Sequence, residues 1–148
     1  MPRITRLFIK SGMIYFLAGI ILALIAELPD VSTGNLLLPV YWHMIVIGWI
    51  TQVIMGVSIW MFPRKQRGKR KEETFAANAA FWCLNIGLVL RFLAEPFLPF
   101  YFNESWIVLV IVLSSILQIT AIGFYTAEIW PRVRPRPVRK GKPKKAKG

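Results

Sequence analysis

Four apolar runs, separated by short polar segments, dominate the hydropathy pattern of this chain. They cover about Ser11–Leu28, Leu36–Phe62, Phe75–Leu98 and Ser105–Trp130. A bilayer core is ~30 Å thick and takes roughly 20 apolar residues of helix to cross. Each run predicts one spanning helix, since a helix satisfies its own backbone N–H and C=O groups in lipid. The predicted fold is all-α: a four-transmembrane-helix bundle over residues 1–130, then a disordered polybasic tail over 131–148. The first run has the basic start of a signal peptide (Arg3, Arg6, Lys10), but it is long and ends Ala26-Glu27-Leu28-Pro29 without a small-residue cleavage site. It is read as a retained span.

Composition agrees with this pattern. The chain is 55% apolar, with mean hydropathy +0.51. A net charge of +12 looks out of place until the charges are located. Eighteen of the 19 basic residues fall before Ser11, between Pro63 and Thr74, or after Trp130. In a four-span chain these three regions lie on one side. The other two connections carry Glu27, Asp30, Glu95 and Glu104. The positive-inside rule then predicts an N-in/C-in topology, with the 63–74 loop also cytoplasmic. The tail lacks interleaved aromatics and adjoins a span, so it reads as a strip held against anionic headgroups and not as a nucleic-acid-binding arm. The single cysteine, Cys83, cannot form an intrachain disulfide and reads as a packing residue.

Ionisable groups inside spans are costly and draw attention as functional candidates. Apart from the helix ends there are two, His43 and Arg91. Counting from the span ends, both sit roughly 10 Å below the outer boundary. Arg91 shares a helix face with Glu95, and Glu27 approaches the same level from the first span. Arg91 reads either as a Glu95 partner that snorkels outward or as the holder of a buried anion. His43 reads as an interhelical hydrogen-bonding group, a heme ligand or a proton relay. With one histidine and one cysteine, a zinc site is not expected. Gly48, Gln52 and Gly56 form a small-residue stripe. At 100° per residue this stripe lies about 140–220° round the helix from His43. The two faces then require different neighbours, which argues for a homo-oligomer or another membrane subunit. Ser114, Gln118, Ala121 and Tyr125 form a packing stripe on the fourth helix, and Asn78, Trp82 and Asn85 one on the third. Phe97, Phe100, Tyr101, Phe102 and Trp106 predict an outer aromatic belt. No phosphate loop, paired carboxylates or activated nucleophile is present.

The segment His43-Met-Ile-Val-Ile-Gly48-Trp-Ile-Thr-Gln52-Val-Ile-Met-Gly56-Val-Ser-Ile-Trp60-Met-Phe-Pro63-Arg64 resembles the second helix of heme-copper oxidase subunit I, closest to cbb3-type oxidases and nitric-oxide reductases. Ser11-Gly12-Met-Ile-Tyr15-Phe-Leu-Ala18-Gly19 is similar to the helix before it, and Phe81-Trp82-Cys-Leu-Asn85-Ile-Gly87 to one after it. The resemblance covers about 80 residues. It implies a respiratory-chain electron-transport setting in a prokaryotic inner (plasma) membrane. It also implies His43 as axial ligand to a b-type heme iron. Arg91 matches by depth alone, as a partner for the heme carboxylates. The family's oxidases have about twelve spans and several metal-ligating histidines. Four spans and one histidine cannot complete an oxygen-reducing centre, so a non-catalytic protein is expected. The second axial ligand is then a methionine (Met44, Met55 or Met61), a second His43 across a dimer, or a partner subunit. The alternative is a heme-free structural or assembly subunit. A small transporter lacks the broken helices and inverted repeat expected of one.

Overall fold

A computed structural model describes residues 1–28, 34–62, 74–98, 100 and 104–133, with only the backbone described at 34–36. The described residues are all-helical. The helices are α1 (Arg3–Ala26), α2 (Gly34–His43), a π-helical stretch (Met44–Thr51), α3 (Gln52–Met61), α4 (Phe75–Ala94) with a 3₁₀ turn at Glu95–Phe97, and α5 (Ser105–Ile129). Four continuous spans result: Arg3–Ala26, Leu37–Met61, Phe75–Phe97 and Ser105–Ile129, each long and apolar enough to cross a membrane. Residues 134–148 of the predicted tail, the 63–73 segment and belt residues Tyr101 and Phe102 lie outside the described residues.

The first helix starts eight residues before the apolar run does. Hydropathy marks the lipid slab, whereas the helix continues as long as it has something to pack against. Ile4 and Phe8 supply that: they are 2% and 0% exposed and belong to the core. The third span begins at a capped end, where the Thr74 hydroxyl accepts a hydrogen bond from the Ala77 amide at 3.2 Å. It closes at Pro96, inside the 3₁₀ turn, where a residue without an N–H cannot extend the α ladder.

The spans pair as two hairpins. Lipid tails are as apolar as leucine, so burial alone does not draw helices together, and close packing and hydrogen bonds must. In the first hairpin, glycines bring the backbones near. A Cβ on Gly48 would sit 2.8 Å from Tyr15 Cβ and Cγ, and one on Gly56 2.9 Å from Phe8 Cβ. In the second hairpin the Ser114 hydroxyl donates to the Gly87 carbonyl at 2.8 Å, and Gln118 Nε2 donates to Ser114 Oγ at 3.2 Å. The stripe Ser114, Gln118 and Ala121 is buried as expected. Trp82 is 59% exposed and does not belong to the packing stripe on its helix.

Polar ties at four levels lace the two hairpins together. His43 meets Glu95. Gln52 Nε2 donates to Asn85 Oδ1 at 3.2 Å. Ser58 Oγ and Tyr125 Oη lie 2.7 Å apart. Arg132 Nη1 donates to the carbonyls of Ile59 and Phe62, at 3.2 and 3.1 Å. Ile59 lies in the last turn of α3 and Phe62 caps it, where carbonyls have no intrahelical donor. Arg132 is itself paired with the buried Glu128. Aromatic contacts fill the seam between levels: Phe8–Phe81 at 5.1 Å and Tyr15–Phe92 at 5.6 Å, both edge-on.

Candidate functional site

The second span positions the site through an irregularity. Pro39 has no N–H, so it takes an acceptor-only place within α2. One turn later the chain enters eight residues of π helix. A π helix bonds over five residues, not four, so each residue turns less than in an α helix. Over eight residues the deficit is on the order of 100–150°. In an α projection His43 and Gln52 lie on opposite sides; the π stretch swings His43 onto the side that faces α4. His43 and Gln52 therefore both reach α4, while Gly48 and Gly56 of the stripe face α1, so both faces find neighbours within the chain. The Thr51 hydroxyl bonds the Val46 carbonyl at 2.9 Å, five residues back, in the same register as the π ladder.

His43 sits in a network that reaches three spans. Its Nδ1 lies 2.8 Å from the Pro39 carbonyl oxygen and 3.3 Å from Glu95 Oε2. Arg91 Nε donates to Glu95 Oε1 at 3.3 Å, and Arg91 Nη1 donates to Ser115 Oγ at 3.1 Å. The Ser115 hydroxyl donates in turn to the Ile111 carbonyl at 3.0 Å. Glu95 is 8% exposed and His43 24%.

A carbonyl oxygen only accepts, so the Pro39 contact requires the proton on Nδ1. A neutral ring then carries its lone pair on Nε2, which makes no hydrogen bond among the described residues. The Nδ1–H is directed at Pro39, and the buried Glu95 Oε2 is left without a hydrogen bond. Arg91 Nη2 likewise makes no hydrogen bond among the described residues.

The site thus joins both sequence-predicted residues, His43 and Arg91, at one depth, through Glu95. Glu27 does not join them; it is exposed and forms no ion pair with described residues. None of the three methionines is part of this network. Met55 is core, and Met61 is 63% exposed, about 27 Å further along the span at 1.5 Å per residue. Met44 Cβ lies 3.3 Å from a Cβ placed on Gly19 of α1. Ser115 and Pro39 were missed by sequence reasoning. The Pro39–His43 spacing of four was the available signal; Ser115 offered none. Among the described residues no group of three or more His, Cys, Asp or Glu could hold a metal ion. A scan against protein-family models and searches of curated proteins and of solved structures found no match.

Proposed function

We propose that this chain is a non-catalytic integral membrane protein of a respiratory-type redox complex, and that His43 is an axial ligand of a b-type heme. The resemblance of the second span to heme-copper oxidase subunit I suggests the setting. The observation that supports the ligand role is the imidazole itself. Its Nδ1–H is held by Pro39 O beside Glu95, and its Nε2 lone pair is uncommitted. Metal-bound histidines are almost always held in this way. The residues present fit one axial position. The other would come from a second copy or another subunit, since Met55 and Met61 lie several turns further along the second span. A bound b heme would supply one-electron transfer. The chain's own residues would hold the ring and fix its tautomer, and Arg91, with one nitrogen unbonded among the described residues, would pair with the heme carboxylates.

The proposed placement is multi-pass in a prokaryotic inner membrane, with both termini and the 63–74 loop cytoplasmic. The basic tail lies against anionic lipid, at ~1 kcal/mol per charge near the surface. A second reading, a heme-free structural or assembly subunit, draws support from the same network: Arg91, Glu95 and Ser115 already tie α4 to α5 without a cofactor.

The test is optical. Protein purified from heme-replete cells should show a Soret band and a reduced-state α band of b type, and His43→Ala should abolish both. A full-intensity Soret band in His43→Ala would remove the ligand assignment.

A further inference from the structure

We infer that Glu95 is a positioning residue for His43. Its carboxylate, anchored by Arg91 and Ser115, fixes the ring in the Nδ1–H tautomer and so makes Nε2 the nitrogen that faces outward chemistry. For the identity of that chemistry the inference rests on the proposed ligand role of His43. For the tautomer it does not.

Two acceptors compete for one proton. Pro39 O is neutral and lies on the same span as His43, four residues back. Glu95 Oε2 is a carboxylate oxygen on a different span, buried and without a hydrogen bond. Its polar neighbour is His43 Nδ1 at 3.3 Å. A buried acceptor left unmade is expensive, and a carboxylate accepts more strongly than an amide carbonyl. The carboxylate is also not free to turn away. Arg91 Nε holds its other oxygen, and Arg91 is held in turn by Ser115 of α5. Two acceptors from two spans therefore meet at Nδ1, and one of them is anchored through Arg91 to a third span. Which ring nitrogen is protonated is set by the bond that the other makes. An anchored anion beside Nδ1 biases that choice beyond what Pro39 achieves alone, and it strengthens the ring as a donor through Nε2.

His43 is the chain's only histidine, so nitrogen-15 histidine labelling reports one ring. The experiment uses the full chain prepared without heme, since an iron-bound Nε2 carries no proton, in detergent and alkaline buffer, comparing wild type with Glu95→Gln. The wild type should be predominantly Nδ1–H. In Glu95→Gln the ratio of Nδ1–H to Nε2–H should fall about fivefold, the difference between a charge-assisted and a neutral hydrogen bond. If Glu95→Gln does not fold, Arg91→Gln/Glu95→Gln removes both charges together and carries the same comparison. A wild-type ring protonated on Nε2, or a ratio unchanged by the substitution, overturns the inference. Where the protein is coloured, Glu95→Gln should keep its Soret band and show a more positive midpoint potential; an unchanged potential counts against the inference. Colourless wild type with the tautomer shift intact removes the ligand reading and leaves the positioning of His43 by Glu95 standing.

Discussion

A half-buried guanidinium and a buried carboxylate one helical turn apart stabilise the fold only as a pair. Arg91 and Glu95 are 19% and 8% exposed, and each also touches a second element. Removing one partner leaves the other charged in a poorly solvated place, at a cost of about 3–5 kcal/mol. Arg91→Leu should therefore lower the unfolding midpoint in detergent markedly, and Arg91→Leu/Glu95→Leu should recover most of the loss. Arg91→Leu as stable as wild type would mean that the pair contributes nothing. At this scale the sequence was partly legible. The i,i+4 spacing of Arg91 and Glu95, and the common depth of His43 and Arg91, could be counted from the chain. That Glu95 is the residue joining them could not, because the contact depends on how the second span is rotated.

The rotation belongs to the second span as an element. Periodicity arguments assume 100° per residue, and Met44–Thr51 departs from it. Its composition of branched aliphatics, Gly48 and Trp49 carries no signal that separates π from α, so the faces were assigned correctly for a geometry the span does not adopt. The small-residue stripe kept its meaning, because close approach needs a missing Cβ whichever ladder the backbone follows. Gly48→Ala would place a carbon 2.8 Å from Tyr15 and should cost about 1–3 kcal/mol as the hairpin is pushed apart. Gly123→Ala meets nothing within 4 Å and should be neutral, or stabilising by up to ~1 kcal/mol from helix propensity. Thermal unfolding of the two variants side by side checks this; equal effects would contradict the packing of α1 against the second span.

For the whole molecule, four apolar runs were enough to read four spans, since lipid leaves the backbone few alternatives. The pairing into hairpins and the polar ties between them were not readable, because many interleavings of small and amide residues have the same hydropathy. Orientation is proposed from charge: 18 of the 19 basic residues fall before Ser11, between Pro63 and Thr74 or after Trp130, and the positive-inside rule predicts that these regions face the cytoplasm. With Cys83 replaced by serine, cysteines introduced at Gln66 and Ala146 should resist an impermeant thiol reagent in intact cells and react after lysis; labelling of either from outside would reverse the topology. The central claim, that His43 binds heme through Nε2, is tested most directly by the absorption spectrum of wild type and His43→Ala purified side by side from heme-replete cells with their native partners. A b-type spectrum in wild type, lost in His43→Ala, is the predicted result. A colourless wild type would contradict the claim and favour the heme-free structural subunit.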